Sequence, residues 1–169
     1  MTSPEGSTVT FRRASEEVRE RALLMFARKL EREVAGSRPF DCLITNDAEL
    51  RRLNRDFRGK DEPTDVLSFP QMQELVTDGP IDKIKRVRGY RTGPAVRLGD
   101  LAISIGRARQ QAREFGHTTE SEVRILMLHG LLHLLGMDHE SDKGQMARAE
   151  KKWRAQLGLP NGLIERVQV

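Results

Sequence analysis

Leu126-Met-Leu-His-Gly-Leu-Leu-His-Leu-Leu-Gly-Met-Asp-His-Glu140 decides how the rest of this 169-residue chain is read. Apolar residues surround the run on nearly every side, so it reads as a central, buried helix from about Thr119 to Leu135. On such a helix His129 and His133 stand one turn apart on the same face, where both imidazoles can reach one cation. Gly136 tolerates left-handed dihedrals, so the helix can stop there and the chain can swing His139 back toward the same point. Three of the four histidines in the chain fall within this stretch. Unpaired imidazoles among leucines and methionines would cost free energy, which favours a ligand role over chance placement. Three imidazoles with a fourth position left to solvent is the pattern of a catalytic zinc site, since structural sites are closed by four protein ligands. Three imidazoles also accept nickel, cobalt or copper, so zinc is the first expectation for one ion per chain. The fourth histidine, His117, beside Gly116, reads as a loop residue.

The frame His-x-x-x-His-x-x-Gly-x-x-His is also the zincin-type frame of metzincin peptidases. Those enzymes carry a glutamate directly after the first histidine as general base, and here that position is Gly130. A peptidase therefore ranks last among the activities considered. Amide hydrolysis also needs a proton delivered to a poor leaving amine, so the missing base counts against it.

Outward from the histidines, Thr8 to Arg13 alternates as a short strand. Ser15, Glu16 and Glu17 open a helix whose inward face is Val18, Ala22, Met25, Phe26 and Leu30. Phe40 to Thr45 reads as a second strand. Asn46 with Glu49 forms a capping box for a helix from about Asp47 to Phe57, with Leu50, Leu53 and Phe57 inward. A charged loop from Arg58 to Asp65 leads to the strand Val66 to Pro70, and Arg97 to Ile105 restores a strand beside it. Helices follow at about 106–115, 119–135 and 141–157, the last packing through Met146, Ala149, Trp153 and Leu157. The fold expected is α+β: a small mixed sheet packed with about five helices. Residues 1–7 are expected to be disordered, 8–160 to form one hydrolase domain, and 161–169 to be a tail.

Composition bounds the partners. Lys and Arg number 29 against 25 Asp and Glu, a net charge of +4 that permits a polyanion. One Trp, one Tyr and six Phe argue against a broad base-stacking platform. Single Cys42, the lack of a long apolar run and the lack of a signal-like start lead to the expectation of a cytoplasmic protein with no membrane segment. Between Gln71 and Val96 lies a basic insertion with Lys83, Lys85, Arg86, Arg88 and Arg91, which reads either as a solvated loop or as an RNA phosphate contact.

With the histidine frame, Asn54-x-x-x-Arg58, Pro63-Thr-Asp-Val-Leu-Ser-Phe-Pro70 and Leu98-Gly-Asp-Leu-Ala-Ile-Ser104 taken together and in order, the chain resembles the YbeY family of bacterial endoribonucleases. The resemblance runs from the first strand to the last helix; the segment from Gln71 to Val96 departs from the shorter, more acidic connection of that family. It implies a metal-dependent endoribonuclease directed at single-stranded RNA, acting in ribosomal RNA processing at the 3′ end of 16S RNA and in ribosome quality control. It implies His129, His133 and His139 as zinc ligands and Arg58 as the arginine near the metal, the four residues expected to carry catalysis. It also implies small-subunit ribosomal proteins and an assembly GTPase as partners.

From residue chemistry, Arg58 is suited to two-point contact with phosphate, against the plainer reading of a solvated loop arginine. Asp65 and Asp100 each either orient a ligand histidine through its second ring nitrogen or cap a turn, and Asp138 is a further candidate for steering His139. The competing function is a ribosome-assembly factor that binds RNA or protein and uses its zinc for structure.

Overall fold

The computed structural model describes residues 6–12, 15–71 and 97–167. The expectations for residues 1–5 and for the basic insertion, whose arginines and lysines lie between 83 and 91, fall outside the described residues. Four strands form one mixed sheet: β1 (Thr8–Phe11), β2 (Asp41–Thr45), β3 (Val66–Pro70) and β4 (Gly99–Ser104). The order is β1-β2-β4-β3, parallel except for the antiparallel pair β3 and β4, where Val66 faces Ile103 and Phe69 faces Asp100. Six helices accompany it among the described residues: α1 (Glu20–Glu33), α2 (Asp47–Arg58), α3 (Ile105–Phe115), α4 (Thr119–Leu134), α5 (Gln145–Gln156) and α6 (Leu163–Val167).

The α+β reading and the central helix hold. Along α4, all but a few residues from Glu122 onward are buried, and the helix packs on β3, β4, α1, α3 and α5. Thr118 caps it by accepting from the Ser121 amide at 3.1 Å, with Glu120 and Glu122 in the first turn, where the helix dipole favours negative charge. Close packing on the sheet depends on Gly130. A Cβ there would lie 2.8 Å from Leu101 Cδ2 and 3.1 Å from Val66 Cγ2, and the bare backbone instead lets Ser68 Oγ donate to the Gly130 carbonyl at 3.0 Å. The position where a peptidase places its glutamate is here used for seating the helix on the sheet.

Several boundaries move. The first helix begins at Glu20, because Ser15 spends its hydroxyl on the Glu17 amide in a preceding turn, and Arg19 anchors the helix start to Glu120 through its backbone amide and guanidinium. Its buried stripe is Leu23, Phe26, Ala27 and Leu30, the i, i+3, i+4, i+7 set, which leaves Met25 on the outside at 60% exposure. Phe57, expected inward, is 69% exposed. The buried face of α2 is Leu50 and Asn54, while Phe57 in the last turn stands in the cleft, its ring T-shaped to that of Phe69 of β3 with 5.6 Å between centroids. Asn46 does accept from the Glu49 amide at 2.8 Å, as a cap should.

Near each end, described residues take on structure that the sequence did not announce. Ser7 is buried, donating to Glu31 and accepting from the Phe40 amide at 3.0 Å. Of the expected tail, residues 163–167 form α6, fixed by the Arg154–Glu165 pair at 2.8 Å and by Arg166 on the fully buried Glu122 at 2.8 and 2.6 Å.

Candidate metal centre and its cleft

The three histidines converge. His129 and His133 come from consecutive turns of α4, and Gly136, at φ +92°, reverses the chain so that His139 returns to them. Asp138 holds the returning loop by accepting from the Glu140 amide at 3.1 Å and Ser141 Oγ at 3.0 Å; those hydrogen bonds, the amide first, hold its carboxyl below the usual carboxylate range. Ring centroids lie 4.9 Å apart for His129 and His133 and 5.6 Å from each to His139, and one ligand atom from each ring falls within 4.8 Å of the others. Burial grades across the set, from buried His129 through half-buried His133 to exposed His139.

The ring chemistry fits a metal. His133 Nδ1 lies 2.9 Å from the Met137 carbonyl oxygen, which can only accept, so Nδ1 carries the proton and Nε2 is left as a lone-pair donor. Burial, followed by the neighbouring charge of His129, lowers the His133 pKa and keeps that ring neutral at pH 7. His129 Nδ1 lies 2.6 Å from a carboxylate oxygen of Glu150, which fixes the same tautomer. The donor set can therefore hold a metal ion.

Glu150 is the residue that the sequence reading missed. It is 1% exposed, reaching from α5 to His129 with Oε2 while Oε1 accepts from the Ile164 amide of α6 at 2.9 Å. A signal was available: Met146, Ala149, Trp153 and Leu157 define the inward face, and position 150 lies on it. A glutamate on an inward face must have partners. The aspartates do other things. Asp65 accepts from the Val66 amide at 2.8 Å and from Gln111 at 3.4 Å. Asp100 lies across from Phe69, its carboxyl raised by burial and then by Asp41. The orienting partners on the rings are Glu150 and the Met137 carbonyl.

The histidines open into a cleft of about 1330 Å³ that Arg58, Asp65, Asp100, Phe57 and Phe69 also line. Arg58 is the last residue of α2 and not part of the following loop. A smaller cleft of about 460 Å³ meets the first at His129, His139 and Asp65, and contains Arg107, Gln111, Phe115 and Arg166. His117 does stand between two helices, with Nε2 2.6 Å from Glu122.

The family model described as Endoribonuclease YbeY matches residues 5–158. The chain belongs to the YbeY family. It is similar to the Endoribonuclease YbeY of Solibacter usitatus, at 62% identity over 99% of both chains, and to that of Koribacter versatilis, at 44% over 88% of this chain and 84% of the other. Among solved structures it is similar to the solution structure of TM1509 from Thermotoga maritima. The TM-score is 0.51 at 27% identity, covering 89% of this chain and 92% of that one. Among the described residues no helix is long and apolar enough to cross a membrane.

Proposed function

We propose that this YbeY-family chain is a zinc-dependent endoribonuclease that cuts single-stranded RNA in the cytoplasm. It acts in ribosomal RNA processing at the 3′ end of 16S RNA and in ribosome quality control. The observation that supports this reading best is the convergence of three imidazoles, with an arginine, on one open cleft. His129, His133 and His139 would hold the ion. When bound, zinc would supply Lewis acidity able to lower the pKa of water to about 7.

The protein's own groups do the rest. Glu150 and the Met137 carbonyl hold two rings as Nδ1–H tautomers, so that ligand geometry is set before any ion arrives. Arg58, permanently charged and at the end of a rigid helix, binds the phosphoryl oxygens and stabilises the charge that develops on them during in-line attack. Phosphodiester cleavage is compatible with Gly130. A side chain there meets Leu101 and Val66, which leaves no room for a peptidase's glutamate. The zincin-like frame thus serves as a ligand set without the peptidase base. Residues 8–160 act as one hydrolase domain, and small-subunit ribosomal proteins and an assembly GTPase are the partners for which this activity calls.

The test incubates purified protein with an RNA covering the small-subunit 3′ end, in single-stranded and duplex form, with and without chelator, beside His133→Ala. Cutting of the single-stranded form that chelator and His133→Ala both abolish supports the proposal. Equal cutting in all arms refutes it.

A further inference from the structure

Among the described residues three large hydrophobic side chains are exposed: Met25, Phe57 and Phe115, at 60%, 69% and 45%. Two of the three are phenylalanines, and each lines one of the two clefts that meet at the histidines. Phe57 stands beside Arg58 in the large cleft, with its ring edge-on to Phe69. Phe115 ends α3 in the small cleft, with the Arg166 guanidinium 4.2 Å from its ring centroid. Singly exposed apolar side chains are common, but rings that line the two clefts meeting at a candidate centre are placed to contact whatever those clefts hold.

We propose that Phe57 and Phe115 are nucleobase-stacking residues, holding the bases on either side of the phosphodiester placed at the histidines. This inference rests on the endoribonuclease reading and adds to it the subsites that make the enzyme choose single-stranded RNA. Bases of a duplex are stacked on one another and cannot meet a protein ring, whereas bases of a single strand can be splayed onto aromatic faces. Each ring shares its cleft with a cation for the adjoining backbone, Arg58 in one cleft and Arg107 in the other. Two isolated stacking points, rather than a sheet-wide platform, agree with a chain holding so few aromatics. The rigidity of each point comes from its neighbour: Phe69 props Phe57 and Arg166 covers one face of Phe115, leaving the other face for a base.

The experiment measures binding of a short single-stranded oligoribonucleotide by fluorescence anisotropy in chelator, so that nothing is cut. It uses wild type, Phe57→Ala, Phe57→Leu, Phe115→Ala, Phe115→Leu and, as a control for exposed apolar surface, Met25→Ala. The same RNA is then used with single abasic positions. Each Phe variant is expected to weaken binding roughly 5- to 150-fold, with the Leu variants as weak as the Ala variants and Met25→Ala unchanged. An abasic site that weakens wild type should add nothing to the variant that has lost the matching ring. Effects that multiply freely, or Phe variants that bind like wild type, overturn the proposal. Loss of binding to small-subunit ribosomal proteins with RNA affinity intact would assign the rings to a protein interface and overturn it too. Failure of the cleavage test alongside preserved ring-to-base coupling would remove the nuclease reading and leave the stacking sites standing.

Discussion

Replacing Glu150 by glutamine tests the idea that ligand geometry is preset. The carboxylate accepts two hydrogen bonds, from His129 Nδ1 at 2.6 Å and from the Ile164 amide at 2.9 Å. Glutamine has the same shape but only one oxygen at its end. Whichever way the amide turns, its NH2 faces a group that is itself a donor. If the oxygen faces Ile164, His129 loses the acceptor that holds its tautomer and angle. Changes of this kind cost about 10- to 100-fold in metal affinity, or about 1.4 to 2.8 kcal/mol. If the oxygen faces His129, affinity survives and the cost falls on the attachment of α6, about 1 to 3 kcal/mol for a buried amide left unpaired. The hydrogen bond to the histidine is the shorter one. Glu150→Ala removes the choice and should lose on both counts.

The assay titrates metal-free protein with zinc in competition with a chromophoric chelator and, separately, records its melting temperature. Arg154→Ala is the control: it breaks the pair with Glu165, loosening α6 without touching Glu150. It should lower the melting temperature and leave zinc affinity alone. If Glu150→Ala binds zinc within about twofold of wild type, the claim that Glu150 presets His129 is wrong. If Arg154→Ala weakens zinc as much as Glu150→Ala does, the effect belongs to general loosening and the specific argument fails.

Arg58→Ala should lower kcat/KM for single-stranded RNA by about 10²- to 10³-fold with zinc affinity unchanged; equal loss of both would mean that Arg58 supports the fold and not the transition state. Gly130→Ala presses a methyl group onto Leu101 and Val66, and thermal unfolding should show a loss of about 1 to 3 kcal/mol. The half-buried His133 has a folded-state pKa below its unfolded value of about 6.5, so the unfolded chain takes up the extra proton. Metal-free protein should therefore hold this contribution above pH 6.5 and lose it as the pH falls through the lowered value, an effect that His133→Gln removes from the melting profile. Burial, with a smaller push from Asp41, raises the Cys42 thiol far above the usual range, so a thiol reagent at pH 8 should leave the native protein unlabelled and react only on unfolding.

What the sequence disclosed and what it hid divide by the range of the interaction. The buried helix and its histidine pair were legible because the period of a helix converts spacing in sequence directly into spacing on a face. The strand beside Val66–Pro70 was legible too, since β4 pairs there. The misplaced side chains sit where a local pattern runs past the element that gives it meaning. Phe57 keeps the helical phase of Leu50 and Leu53, yet it falls in the open cleft beside Phe69 of β3 and stays exposed, so phase alone could not tell burial from exposure. Met25 failed differently: a stripe drawn through 22, 25, 26 and 30 lies close to the true one through 23, 26, 27 and 30, and only packing against the core chooses between them. Glu150 was hidden by distance. Its two partners are 21 residues upstream and 14 downstream, each in another element, beyond the reach of any local pattern. What sequence could offer was a contradiction, a charged residue in the middle of an apolar face. A buried carboxylate must find donors, and Glu150 finds them in an imidazole of the histidine cluster and in the first turn of a helix that composition gave no reason to expect. Residues 163–167 of the expected tail are thus part of the site's support, joined to α5 by the acid that also holds His129.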